Sequence, residues 1–132
     1  MKFKYKKVAP KVLRPIIPIE IGNDFFVSYE VLVDSGADMC LFDSSIADLL
    51  EIDVRKGEKL EVSGITGDKQ TYFYHRSIPI KVGGWEYKIN AGFMEGTPYG
   101  YGVVGQESFI EIFIVKFDLI KEEIELVERK KK

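Results

Sequence analysis

Cysteine is nearly missing from this sequence. Cys40 is the only one, and it lies in the apolar run Met39-Cys40-Leu41-Phe42. A single thiol cannot build an internal disulfide framework. The expected setting is therefore reducing and cytoplasmic, with Cys40 as a packing residue. Histidine is equally scarce: His75 stands alone in the aromatic stretch Thr71-Tyr72-Phe73-Tyr74-His75-Arg76. It reads as a surface or strand residue. No metal-ligand spacing surrounds it, and a lone His argues against Ser-His-Asp or Cys-His chemistry.

Other absences narrow the field further. No apolar run approaches the length that spans a bilayer. The start, Met1-Lys2-Phe3-Lys4-Tyr5-Lys6-Lys7, has no apolar core of a secretory signal. A large net charge is missing too, since 19 Lys and Arg face 21 Asp and Glu for a balance of -2. That argues against nucleic acid or a membrane as partner. Basic residues do gather at the two ends, Lys2 to Lys7 and Arg129 to Lys132, where they read as solvated tails. Carboxylates remain as the only well-placed catalytic groups.

What is present is ordinary for a folded protein: 132 residues, 45% of them hydrophobic and 30% charged. Residues 1–132 read as one domain with a real core. The organising stretch is Val31-Leu32-Val33-Asp34-Ser35-Gly36-Ala37-Asp38. Three apolar residues of strong strand preference run into loop chemistry. The carboxylate of Asp34 is thereby delivered to the end of a buried strand. Gly36 lets the backbone turn closely, and Ser35 can hydrogen-bond inward. A carboxylate in such a place is costly unless it is paired, protonated or employed. The bland alternative is a strand followed by a plain turn.

Patterning elsewhere is mostly of period 2. Met1 to Val8 reads as an exposed strand, and Pro10, Pro15 and Pro18 mark the next stretch as extended edge or loop. Ile16–Ile21 and Phe25–Val33 form a hairpin around Gly22-Asn23-Asp24. After a short strand at Met39–Phe42, Asp43 suits a helix N-cap, with Ile46, Leu49 and Leu50 on one face. Strands at Lys59–Ser63 and Thr71–His75 flank Gly64-Ile65-Thr66-Gly67-Asp68. That tip is either a plain turn or a glycine-hinged flap that closes over a ligand. Ile78–Val82 and Trp85–Met94 pair around Gly83-Gly84, with Trp85 in core or hairpin packing. Gly102-Val103-Val104 is a short strand, and a helix of one to two turns starts at Gly105. Phe113–Leu119 and Ile124–Val127 close the chain. The expected class is all-β, with two short helices.

Taken together, Asp34-Ser35-Gly36-Ala37 after apolar residues, Gly64-Ile65-Thr66-Gly67, and Val103-Val104-Gly105 opening a helix resemble the retropepsin-like aspartic proteases. Order and spacing match from about Ile16 to Leu126. The resemblance implies a small closed β-barrel with a flap hairpin, active as a homodimer on peptide or protein substrates, with no cofactor and no metal. Asp34 would be the catalytic aspartate, one from each subunit. Ser35 would bond to the partner loop, Gly36 would accept substrate backbone hydrogen bonds, and Ala37 and Asp38 would line the cleft. Gly64, Ile65, Thr66 and Gly67 would form the flap. Val103, Val104, Gly105 and Gln106 would support the catalytic loop, and Val103 and Val104 with Ile65 would bias the cleft toward apolar side chains. Many members carry Arg where Gln106 stands, paired with the acid that is Asp38 here. Gln106 could still hydrogen-bond Asp38, without charge assistance. Basic and acidic terminal strands suggest interleaving at a dimer interface. A binding or dimerisation module with the same fold and little activity is the alternative reading.

Overall fold

Strands account for most of the computed structural model, which describes residues 1–63, 69–95 and 100–130. In chain order they are β1 (Lys2–Lys4), β2 (Lys6–Ala9), β3 (Val12–Arg14), β4 (Ile16–Gly22), β5 (Phe26–Val33) and β6 (Cys40–Asp43), followed by β7 (Glu58–Ser63), β8 (Lys69–Val82), β9 (Trp85–Met94), β10 (Gly102–Val104), β11 (Phe113–Asp118) and β12 (Glu123–Glu128). One helix, α1 (Ser44–Leu49), a single 3₁₀ turn at Val54–Lys56 and a helical turn at Gln106–Ile110 complete the described elements.

The larger sheet has the order β4-β5-β10-β6-β9-β8-β7, and β4 also reaches β8 at Glu20↔Lys81 and Ile21↔Ile80. Its curvature thus brings the first strand against the sixth. Two pairings are parallel, β5 with β10 and β6 with β9. One feature of this order governs everything downstream. β5 and β6 are consecutive in the chain but not neighbours, because β10 lies between them. The connection from Asp34 to Met39 must therefore step across the end of β10.

The sheet wraps a core in which Phe42, Phe93, Phe109, Phe113, Ile17, Ile21 and Ile80 are fully buried. Burial of such side chains stabilises by about 1.5–3 kcal/mol each. Edge-on ring contacts link Tyr29 to Phe42 at 5.6 Å and Phe42 to Phe93 at 6.0 Å. The buried Tyr29 keeps its hydroxyl satisfied by accepting the Asp43 N–H at 3.2 Å.

Several expectations need correction. Thr71–His75 and Ile78–Val82 are one strand, β8, interrupted by a bulge at Arg76-Ser77. Ser77 takes φ +57° there, and its N–H goes to Asn90 Oδ1 at 3.0 Å. Leu49 is 61% exposed, whereas Ile46, Ala47 and Leu50 are buried. The helix stops at Leu49, so Leu50 turns inward as its cap and Leu49 faces out. Asp43 does cap it, accepting the Ser45 N–H at 3.0 Å. Trp85 is 67% exposed, not core, because the Gly83-Gly84 turn carries it to the outer end of the hairpin. Of the two readings for the stretch marked by Pro10, Pro15 and Pro18, extended edge is the one found: β2 and β3 form a small hairpin, and Pro18 sits inside β4. That proline is tolerated because β4 meets β8 only further along, leaving an edge beside it.

The terminal strands behave differently from the expected interleaving between chains. They build a separate sheet, β1-β12-β11, within one chain. Lys2 faces Glu125 and Lys4 faces Glu123, with Lys4 Nζ 3.5 Å from the Glu123 carboxylate. Charge complementarity between the basic start and the acidic tail is therefore satisfied internally. Among the described residues no helix is long and apolar enough to cross a membrane.

Candidate active site

β5 ends with Val31 and Val33 in the core, and the next residue has nowhere to continue. The Val33 N–H donates to Pro15 O at 2.9 Å, and the Asp34 N–H to Val104 O at 3.0 Å. Asp34 is thus the last residue held by the parallel β5/β10 pairing. Beyond it the chain folds back: the Gly36 N–H donates to Asp34 Oδ1 at 2.8 Å and the Ala37 N–H to Asp34 O at 3.2 Å. This is the Asx-type turn that Asp favours. It orients the carboxylate without exhausting it, since an ionised carboxylate offers about four acceptor sites. Asp34 is half-buried, while Ser35, Gly36 and Asp38 on the same loop are exposed.

Beneath the loop lies the end of β10. A Cβ on Gly105 would stand 2.5 Å from Ala37 O and 2.7 Å from Met39 O, both main-chain atoms. Only glycine lets the crossing loop come this close. The two residues after Gly105 then hold the loop by three carbonyls. Gln106 N–H donates to Ala37 O at 2.9 Å, Glu107 N–H to Asp38 O at 2.9 Å, and Gln106 Nε2 to Ser35 O at 2.7 Å. Gln106 therefore does not reach the Asp38 carboxylate as expected. Its side chain takes the Ser35 carbonyl, and Asp38 is engaged through its main chain.

Val104 supports the loop from within the core and is fully buried, so it cannot line a cleft. Val103 is half-buried between Leu32 and Leu41. Gly64, Ile65, Thr66 and Gly67 lie outside the described residues. The arms leading to them pair regularly, from Glu58↔Tyr74 to Ser63↔Lys69.

The helical turn after Gly105 is not the regular helix expected. Glu107 has ψ 130° and Ser108 has φ 72°. Contacts that the sequence did not signal hold it: Tyr74 donates to Glu107, and Ser108 Oγ accepts the Asn90 N–H at 2.9 Å. Tyr74, Asn90 and Ser108 belong to no motif, and only their spatial convergence identifies them. Cys40 is fully buried, and burial pushes its thiol up to about 11. It stays protonated near neutral pH and packs, as expected. His75 is half-buried, with Nε2 2.8 Å from Val54 O and its ring against Phe93. Among the described residues no three His, Cys, Asp or Glu side chains gather as a metal site. A cavity of about 650 Å³ lies elsewhere, lined by Asp48, Val54, Arg55, Phe73 and Met94 among others.

The sequence pattern of the aspartyl protease family matches residues 17–108, a span that holds both the Asp34 loop and Gly105. The chain belongs to the aspartyl protease family. A retropepsin-like aspartic protease from Rickettsia conorii shares the fold with a TM-score of 0.70 at 18% sequence identity, over 96% of this chain and 89% of that one. Comparison with curated proteins finds no match.

Proposed function

We propose that this protein is an aspartic endopeptidase whose catalytic unit is a homodimer. Carboxylate-driven amide hydrolysis needs one group to take a proton from water and another to give one to the substrate. The chain carries one Asp-Ser-Gly loop. A two-fold axis beside Asp34 supplies the second carboxylate from a second copy. Two carboxylates about 3 Å apart cannot both ionise, so they share one proton and titrate as a pair. Substrate lies extended between this dyad and the β7/β8 hairpins, whose tips at 64–67 act as flaps. Ser35 bonds across the axis, Gly36 accepts from the substrate backbone, and Ala37 and Asp38 form the cleft wall. Val103, Val104, Gly105 and Gln106 hold the loop from behind.

The observation that carries this reading is the Asp34 loop: a half-buried carboxylate on a turn whose tip is exposed and whose Ser35, Ala37 and Asp38 carbonyls are clamped. Support for self-association comes from β11. Among the described residues it is, with β1, one of the two edge strands of its sheet, and its Ile114 and Phe117 are 43% and 45% exposed. Such edges invite strand pairing unless they are protected. An antiparallel partner centred on Phe117 sets Lys116 opposite Asp118 of the partner subunit, twice over.

The deciding experiment uses a peptide library at acidic to neutral pH. Wild type cleaves it, and Asp34→Asn, with unchanged circular dichroism and sedimentation, does not. Equal behaviour of the two proteins rejects the reading. A wild type that dimerises and cleaves nothing leaves the binding module.

A further inference from the structure

The segment that clamps the active-site loop is itself held from three sides. Glu107, whose N–H takes the Asp38 carbonyl, accepts a hydrogen bond on its side chain from the Tyr74 hydroxyl of β8. Its own carbonyl takes the Cys40 thiol of β6 at 3.6 Å. The next residue, Ser108, stands at φ 72°, a region that residues with side chains rarely adopt. It is kept there by Asn90 of β9, whose N–H reaches Ser108 Oγ, and by Glu111, whose carboxylate takes the Ser108 N–H at 2.6 Å. The Arg76 guanidinium, 5.4 Å from the Tyr74 ring centre, backs the ring. Strained backbone persists only where its surroundings over-determine it.

We propose that Tyr74 and Glu107 are a positioning pair for the Asp34 loop. Their hydrogen bond fixes the Glu107 residue whose N–H holds Asp38 O, and through that carbonyl it fixes the loop bearing Asp34. Neither residue touches the reacting atoms. The pair also ties the loop to β8, the strand that leaves segment 64–68 and begins at Lys69. The catalytic half of this inference rests on the endopeptidase reading, whereas the structural half stands without it. The bond to the carboxylate is also the first cause that pushes the Tyr74 hydroxyl above its usual pKa, so that it holds its proton more firmly.

The test compares wild type, Tyr74→Phe and Glu107→Gln. Glutamine keeps an oxygen that can accept from Tyr74, while phenylalanine removes the donor. Site-resolved amide exchange needs no substrate. Tyr74→Phe is expected to speed exchange about tenfold at Gln106 and Glu107, the amides that hold Ala37 and Asp38, and not elsewhere. On a cleaved peptide, Tyr74→Phe is expected to lower kcat about tenfold with KM unchanged, and Glu107→Gln to retain most of it. Unchanged exchange at both amides overturns the pair, as does a rise spread evenly over the chain, which would mark loss of global stability. A fall in kcat as deep in Glu107→Gln as in Tyr74→Phe overturns the role of the hydrogen bond. If wild type cleaves nothing, the endopeptidase reading fails and the exchange result still decides the pair.

Discussion

Gly105 illustrates how one missing side chain can set the geometry of a site. The loop bearing Asp34 crosses over it so closely that Ala37 O and Met39 O occupy the place of a Cβ. Both obstacles are main chain, and neither can rotate away. Gly105→Ala must therefore lift the loop or tilt β10, breaking the Gln106–Ala37 bond on the way. A destabilisation of about 1–3 kcal/mol is expected, in the range of forced overpacking. Urea unfolding would read it as a lower midpoint at constant slope. A midpoint unchanged within error would mean that the loop has room to move. At this scale the sequence was legible where chemistry is local. Asp34 announces itself because an apolar strand runs into Asp-Ser-Gly, and Asp43 because capping needs only its own neighbours. The partner of Gln106 was not legible. Whether its amide meets Asp38 or the Ser35 carbonyl depends on how two segments 71 residues apart are stacked.

Elements were readable by alternation, while their partners were not. The β4/β5 hairpin and the β8/β9 arm follow from glycine turns between apolar strands. Nothing in Gly102-Val103-Val104 says that three residues will wedge between β5 and β6, yet that insertion creates the crossing loop. The same limit applies to the ends of the chain, where basic and acidic strands were rightly paired but across the wrong boundary. Because β1 covers one edge of β12 and β11 covers the other, the free edges of that sheet among the described residues belong to β1 and β11, and the β11 edge strand carries the exposed Phe117. Phe117→Lys tests it. In a pairing centred on residue 117, each new lysine faces its own copy, and like charges directly opposite destabilise. Sedimentation is expected to show a dimer dissociation constant raised about tenfold, with the monomer's circular dichroism preserved. A constant that does not move places the interface elsewhere on the molecule.

For the whole molecule, the question is whether one polypeptide contains a complete catalyst. Family membership and fold bring Asp34 to the end of its strand, and the chain offers a single such loop. If the second proton-carrying group comes from another copy, inactive chains must poison active ones. Wild type held at fixed concentration and mixed with a fourfold excess of Asp34→Asn, with time for exchange, should redistribute at random. Only about one fifth of the wild-type chains then remain paired with each other, and activity falls to about that fraction. Mixed dimers contain one ionisable acid and one amide, and cannot share a proton in the way the reaction needs. A catalyst complete within one chain would keep its full activity in the same mixture. Dilution gives a second arm with the same logic: below the dissociation constant, activity per chain falls with concentration instead of staying level. Activity that ignores both the added variant and the dilution would require a second proton donor within the same chain, and the dimeric dyad would be wrong.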